Sequence, residues 1–140
     1  MMEIRSFEVG DADQVVELWQ TCELVVPWND PYKDIDRKLA VNPEMFLVGV
    51  VDKRIVSTVM VGYDGHRGWV NYLAVDPRYQ GQGFARKLMA EAEKMLLGIN
   101  CPKLNLQVRN TNTRAIEFYQ ALGYELDYAT GMGKRLIPDN

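Results

Sequence analysis

The segment of residues 80–85 (QGQGFA) has the residue types of a phosphate-binding turn. It lies between a predicted strand and a predicted helix, and the first turn of a helix has backbone N–H groups without an internal partner. Gly81 and Gly83 let these groups approach a pyrophosphate without obstruction by a side chain, and Arg86 adds positive charge nearby. The segment lacks the Lys-Ser/Thr of a P-loop and the three-glycine spacing of a Rossmann fold. The alternative interpretation is a plain tight turn before an amphipathic helix.

The elements that must position this turn alternate between strands and helices. Runs rich in β-branched and aromatic residues predict strands at residues 3–7, 45–51, 55–63, 69–75 and 103–108, and from Tyr124 and Lys134. Helices are predicted from a capping box at Asp11 and Gln14, from Asp30 as N-cap with Pro31 as the first helical residue, after the Gly-rich turn, and near residues 113–122. The order β-α-α-β-β-β-α-β-α-β-β predicts a single α/β (α+β) domain over residues 1–140. Its mixed central sheet is flanked by helices in three layers.

Composition and charge narrow the function classes. The 140 residues fit one domain, and 16 Lys and Arg against 19 Asp and Glu give a net charge of −3, which offers no basic surface for nucleic acid. The longest apolar run, residues 46–51, is too short to cross a membrane. No signal peptide precedes Glu3, so a cytoplasmic protein is expected. Cys22 and Cys101 lack metal-ligand spacing; we predict reduced thiols and no metal site.

Two motifs together resemble a known family. Residues 73–77 (LAVDP) followed by Gln80-x-x-Gly83-x-Ala85 are similar to the acetyl-CoA segment of the GNAT superfamily of acetyltransferases. Residues 108–124 resemble that family's second motif, an Asn-x-x-Ala followed by a Tyr and by Gly-Phe/Tyr. The second motif is also similar to the RimI type, whose members acetylate ribosomal-protein N-termini. The loop at residues 27–31 (PWNDP) and the turn at residues 62–68 (GYDGHRG) resemble the bacterial YpeA-type group.

The resemblance implies a GNAT-like fold and an enzyme. That enzyme is an N-acetyltransferase that moves the acetyl group of acetyl-CoA to a primary amine, on a small molecule or a protein N-terminus, by direct transfer in a ternary complex. Acetyl-CoA and the amine acceptor are the implied partners, and a homodimer is compatible with the family. A non-catalytic module that binds or senses acyl-CoA is the alternative.

The resemblance also implies which residues bind the co-substrate. Main-chain groups of three strand residues would contact the thioester carbonyl and the pantetheine arm: Leu73, Ala74 and Val75. Main-chain N–H groups of the Gly-rich turn would hold the pyrophosphate: Gly81, Gln82, Gly83, Phe84, Ala85 and Arg86. Asn112 would hydrogen-bond the pantetheine region.

Tyr119 is the implied catalytic residue. By the resemblance it lies beside the sulfur and acts as general acid on the departing thiolate. A core role is the alternative, since Ile116, Tyr119 and Leu122 share one helical face.

The general base is not identified. Where the RimI-like pattern has Glu, this chain has Gln107, and an amide does not accept a proton at neutral pH. Asp64, His66 and Glu23 are candidates by residue type. His66 is the sole histidine, and the alternative is that it lies in a solvated turn between glycines.

Acceptor recognition is predicted for the loop between the first two helices. Trp28 would pack an apolar part of the acceptor and Asp30 or Asp34 would attract a cationic amine, with Asp64 and His66 as further substrate-binding candidates. In the alternative, Asp30 caps a helix, Asp34 lies on a solvated face and Trp28 packs in the core. The sequence does not decide between these two interpretations.

Overall fold

A five-stranded sheet forms the centre of the computed structural model, which describes residues 1–140. Its strands, in spatial as well as chain order, are β1 (Glu3–Ser6), β2 (Phe46–Val51), β3 (Arg54–Tyr63), β4 (Gly68–Val75) and β5 (Leu104–Asn105). The first four pair antiparallel, and β5 runs parallel to β4. The helices are α1 (Ala12–Thr21), α2 (Pro31–Leu39), α3 (Phe84–Gly98) and α4 (Thr113–Ala121). The prediction of a mixed sheet flanked by helices is therefore confirmed.

Side chains alternate between the two faces of the sheet and form two main cores. Phe46 and Val48 of β2 point towards α1 and α2, where Trp19 is completely buried. The intervening Leu47 points to the other face and packs with Leu88 of α3. This period of two follows from the strand geometry, and it gives each helix layer its own apolar surface to cover.

Local chemistry sets the tight connection between β2 and β3. Asp52 and Lys53 both have positive φ, 49° and 66°, the backbone combination that a two-residue hairpin turn requires. The predicted hairpin is thus confirmed, and it places β3 at the centre of the sheet.

The predicted capping box at Asp11 and Gln14 is wrong. The Asp11 carboxylate instead accepts hydrogen bonds from Arg5, at 2.7 and 3.0 Å, and from the N–H of Glu8 at 2.8 Å. Gln14 Oε1 accepts from the N–H of Ile55 at 3.2 Å. The two side chains therefore bind Arg5 and the N–H of Ile55 instead of the N–H groups at the start of α1.

Strand predictions on the carboxyl side of α3 are wrong in extent. β5 comprises Leu104–Asn105 rather than residues 103–108, and no strand begins at Tyr124 or Lys134. Residues 125–136 are exposed, and Gly131 and Gly133 lower the strand propensity of this segment. A strand forms only where a neighbour supplies a ladder, and here no ladder is made. No helix combines the length and the apolar character needed to cross a bilayer.

Candidate functional site

β4 and β5 separate after two paired residues and leave a cleft. Gly68 pairs with Leu104 and Trp69 with Asn105, whereas no backbone hydrogen bond joins residues 106–108 to β4. The cleft has a volume of about 400 Å³. Its walls are residues 70–73, residues 106–109, and the α4 side, together with Leu24. Because strand edges with unpaired N–H and C=O groups line it, an extended ligand can bind there like an added strand.

A bulge in β4 turns particular main-chain groups towards this cleft. Two β4 residues, Tyr72 and Leu73, stand opposite the single β3 residue Val59. Before the bulge, the N–H of Gly68 faces the β5 side, where it donates to a carbonyl at 2.9 Å. In a regular strand, the N–H groups of every second residue after Gly68 would also face the β5 side. The extra residue in the bulge shifts this pattern by one position. The main-chain groups of Leu73 and the N–H of Val75 consequently face the side of β4 on which the cleft lies, whereas the Val75 carbonyl accepts from Gln80 Nε2.

The Gly-rich turn leaves the start of α3 open. Gly81 and Gly83 have φ of 82° and 80°, and no side chain caps the helix that begins at Phe84. A Cβ at either glycine would meet no other atom within 4 Å, so these glycines serve backbone conformation and not close packing. Gln80 Nε2 donates to the carbonyl of Val75 at 3.2 Å, which ties the turn to the end of β4. Free N–H groups at a helix start fit an anion such as a pyrophosphate.

The other predicted phosphate residues surround this helix start. Phe84 is buried and stacks with Tyr79 at 6.2 Å between ring centroids, which anchors the first turn. Gln82 and Arg86 are exposed beside it, and Ala85 is partly buried. All six predicted residues, 81–86, thus lie at the start of α3, which Gln80 ties to the end of β4.

Tyr119 lies in the wall of the cleft, opposite β4. Its ring contacts Phe118 and Tyr124 edge-to-face, with centroids 5.1 and 5.8 Å apart. Burial alone raises the pKa of the Tyr119 hydroxyl to about 12. The hydroxyl therefore remains protonated at neutral pH and has its proton available for a ligand in the cleft.

Asn112 also lines the cleft and has a structural task. Its Oδ1 accepts a hydrogen bond from the N–H of Ala115 at 3.1 Å and so caps α4. The amide NH₂ of Asn112 is left to donate. Gln107, at the position of the expected base, is exposed in the same cleft.

The predicted acceptor-loop residues have different environments. Trp28 is 68% exposed, so the alternative interpretation, in which it packs in the core, is wrong. Asp30 accepts from the N–H of Tyr32 at 2.9 Å, which confirms it as the N-cap of α2. Asp34 is not on a solvated face, because it accepts a hydrogen bond of 2.7 Å from the Tyr72 hydroxyl.

Asp64 and His66 lie in the turn before β4 and do not line the cleft. Asp64 accepts from the N–H groups of His66 and Arg67, at 2.8 and 2.7 Å, and from Trp69 Nε1 at 3.1 Å. These hydrogen bonds lower the pKa of the Asp64 carboxyl and hold its own turn. The bulge lies four residues after the start of β4, so roughly 13 Å of strand separates the turn that holds Asp64 and His66 from the bulge.

Sequence reasoning missed a group of five side chains behind the bulge, which we call the Tyr72 cluster: Trp19, Asn29, Asp34, Thr58 and Tyr72. Tyr72 has a φ of 53°, in the left-handed region, and its ring stacks on Trp19 with centroids 3.8 Å apart. The hydroxyl donates to Asp34 and accepts from Asn29 Nδ2 at 3.2 Å. No periodicity or motif in a sequence indicates that a tyrosine inside a strand adopts a left-handed backbone conformation, so only the structure shows it.

The sequence matches the profile described as the Acetyltransferase (GNAT) family over residues 12–124. An acetyltransferase of Yersinia pestis (strain Pestoides F) is 51% identical over 138 residues, which cover 99% of this chain and 98% of that relative. The match therefore extends over both helix layers and the whole cleft.

Two solved structures have the same fold. Ard1 from Thermoplasma volcanium superimposes with a TM-score of 0.81 and is 25% identical, covering 90% of this chain and 84% of that one. The ribosomal-protein-S18-alanine N-acetyltransferase from Escherichia coli gives a TM-score of 0.74 at 25% identity, covering 88% and 77%.

Proposed function

Because the chain belongs to the GNAT family of acetyltransferases, we propose that it transfers the acetyl group of acetyl-CoA directly to a primary amine in a ternary complex. The observation that carries this proposal is the cleft between β4 and β5. It has the main-chain groups of a bulged strand on one wall, Tyr119 on the other, and the open start of α3 beside it. The acceptor is a small-molecule amine or a peptide N-terminus.

The residues present fit acetyl-CoA at three points. The free N–H groups at the start of α3, with Arg86 nearby, would hold the pyrophosphate. Main-chain groups of Leu73 and the N–H of Val75 would pair with the pantetheine arm as an added strand does, since the bulge turns them to that side of β4. The free NH₂ of Asn112 would donate to a pantetheine carbonyl.

Bound acetyl-CoA supplies an activated thioester, whose carbon the amine nitrogen attacks. The N–H of Leu73 would donate a hydrogen bond to the carbonyl oxygen as negative charge develops on it. The C–N bond forms, the C–S bond breaks, and the Tyr119 hydroxyl would donate to the departing sulfur. A pKa of about 12 keeps the Tyr119 proton in place until that charge appears.

No side chain is assigned as general base. Gln107 cannot take a proton, Asp64 is engaged by its own turn, and neither His66 nor Glu23 lines the cleft. The amine would therefore bind neutral and release its proton to water after attack. Turnover should then rise with pH until the pKa of the acceptor amine is passed.

Thiol release from acetyl-CoA tests the proposal. The purified protein would be offered polyamines, amino acids, aminoglycosides and peptides with varied N-termini, with acetyl-CoA binding measured on the same sample. Release with one class of amine would support the proposal and name the acceptor. Binding without release across the panel would contradict it and favour an acyl-CoA-binding module.

A further inference from the structure

We propose that Tyr72 is a positioning residue for acetyl transfer, because its side chain holds the β4 bulge that turns the Leu73 N–H towards the thioester. This inference rests on the proposed function of the cleft. The Tyr72 cluster joins the bulge to the acceptor-side loop and to α2, through Asn29 and Asp34. The position of the Leu73 N–H thus depends on contacts that Tyr72 makes with Asn29 and Asp34, away from the wall of the cleft that binds acetyl-CoA.

The conformation of Tyr72 needs support from its surroundings. A φ of 53° is disfavoured for an L-residue with a large side chain, since Cβ comes close to the backbone. Residues in such conformations persist where neighbouring contacts over-determine them, and they concentrate at functional sites. Tyr72 occupies the bulge itself, directly before Leu73.

Contacts on the main chain and the ring fix Tyr72 from the side of α1. The ring lies on Trp19 at 3.8 Å with an interplanar angle of 15°. The Tyr72 carbonyl accepts from Thr58 Oγ1 at 2.8 Å, and Thr58 in turn accepts from Trp19 Nε1 at 2.9 Å. Trp19 and Thr58 are completely buried, so this side of the bulge is rigid.

The hydroxyl fixes Tyr72 from the side of α2. It donates to Asp34 Oδ2 at 2.7 Å and accepts from Asn29, whose amide also donates to Asp34. Arg37 donates to the other oxygen of Asp34 at 3.1 Å. The ring is therefore held at both ends, and loss of either end would let the bulge relax.

These contacts favour a positioning role over proton transfer. The proton of Tyr72 is directed at Asp34, and burial together with that carboxylate raises the pKa of the hydroxyl above its ordinary value. Asp34 accepts hydrogen bonds from Asn29 and Arg37 as well as from Tyr72, so its oxygens are occupied within the cluster. Tyr72 would act through Leu73 and not on the reacting atoms.

Tyr72→Phe tests this inference, since it keeps the stack on Trp19 and removes only the hydroxyl. We expect kcat to fall between about 10-fold and 100-fold, as for a small misplacement of a catalytic group, with KM for acetyl-CoA within about twofold. The shape of the pH–kcat profile should not change. Tyr32→Phe is the matched control: that hydroxyl donates to Asp13 of α1 at 2.7 Å, outside the Tyr72 cluster, and its loss should leave kcat unchanged.

Asp34→Ala provides the second variant. It leaves the Tyr72 hydroxyl without its acceptor, so it should reproduce the loss of kcat, and the double variant should lose no more than either single one. Additive losses would overturn the inference, and so would a Tyr72→Phe variant with unchanged kcat. A lost limb of the pH profile would instead make Tyr72 a proton-transfer group and also overturn it.

A readout without turnover separates the two proposals. In ¹⁵N-labelled protein, Tyr72→Phe should shift the Leu73 amide resonance and speed its hydrogen exchange, while Tyr32→Phe should not. An unperturbed Leu73 amide would overturn the positioning role. If the unaltered protein released no thiol with any amine, the proposed function would fail, and the Leu73 measurement would still decide the role of Tyr72 in the bulge.

Discussion

The Asp139 carboxylate lies 2.6 Å from Nη2 of Arg37 and joins the segment after α4 to helix α2. The Asp139 side chain is only 2% exposed, and it also accepts from the N–H of Asp30 at 2.9 Å. The Arg37 guanidinium lowers the pKa of the Asp139 carboxyl far below its usual value. Arg37 extends the contact to Asp34, which holds Tyr72. A continuous set of charged hydrogen bonds therefore runs from residue 139 to the bulge.

Tyr119→Phe should lower kcat by about 100-fold while acetyl-CoA affinity changes little, because a general acid acts mainly as charge develops on sulfur. Thiol-release assays measure kcat, and calorimetric titration measures the affinity for acetyl-CoA. Tyr124→Phe is the control, since that ring contacts Tyr119 but its hydroxyl donates to Glu93, at 2.6 Å.

Tyr119 should also contribute no limb to the pH profile between pH 6 and about 10. Its pKa of about 12 means that the protonated, active form persists across that range and is lost only as the pH rises through 12. Equal kcat in Tyr119→Phe and the unaltered protein would remove the acid role.

Gly83→Ala should destabilise the protein by about 1–2 kcal/mol, because an alanine at a φ of 80° is strained even where space is open. Acetyl-CoA binding should weaken by at least about tenfold, the loss of one charge-assisted hydrogen bond from the turn. Thermal unfolding and calorimetric titration measure both.

Gly98→Ala is the matched control for this change. Gly98 belongs to the same helix, also has open space around it, and has no positive φ. Alanine there should raise stability by up to about 1 kcal/mol and leave binding unchanged. Equal acetyl-CoA affinity in Gly83→Ala would argue against a phosphate role for this turn.

The sequence predicts those features of the candidate site that depend on local conformation. Gly81 and Gly83 stand at a strand-to-helix junction, where glycine chemistry and the uncapped helix start are properties of neighbouring residues. Asp30 with Pro31 predicted the start of α2 for the same reason. Tyr119 required the resemblance as well, because its helical spacing alone is equally typical of a core residue.

Tertiary packing produced the features that the sequence did not predict. Tyr72 and Asp34 are 38 residues apart, and a period-two pattern in β4 gives no sign of a bulge between them. From the sequence, Asp34 is expected to bind the acceptor or to lie on a solvated face, because helix periodicity does not indicate what packs against it. The strands predicted after α4 do not form, because a strand needs a neighbouring strand to pair with, and local propensity does not supply one.

Asp11→Asn should lower the free energy of unfolding by about 1–2 kcal/mol at pH 7, because the Arg5 pair is only partly screened by solvent. The Arg5 guanidinium lowers the pKa of the Asp11 carboxyl below its ordinary value of about 3.9. A lowered carboxyl pKa means that this stabilisation is complete above that value and is lost as the pH falls through the folded-state pKa.

The pH dependence provides the check on the Asp11 pair. Melting temperatures of the two proteins, measured from pH 7 to pH 3, should converge towards the acid end. A difference that stays constant over this range would show that the charge on Asp11 is not what stabilises the fold.

Trp28→Ala and Asp30→Ala should separate acceptor binding from helix capping in the loop before α2. Trp28 is largely exposed, so its loss should change stability by less than about 0.5 kcal/mol, yet raise the acceptor KM by about five- to tenfold if the indole packs on the acceptor.

Asp30→Ala removes the side-chain oxygen that accepts from the N–H of Tyr32 and caps α2, and it should cost about 1 kcal/mol of stability. Asp30→Ser keeps a capping oxygen and removes the charge, so a raised acceptor KM in Asp30→Ser at unchanged melting temperature would identify Asp30 as an amine-binding carboxylate. An unchanged KM in that variant would leave Asp30 with the capping role alone. An unchanged KM in Trp28→Ala would show that the indole does not contact the acceptor.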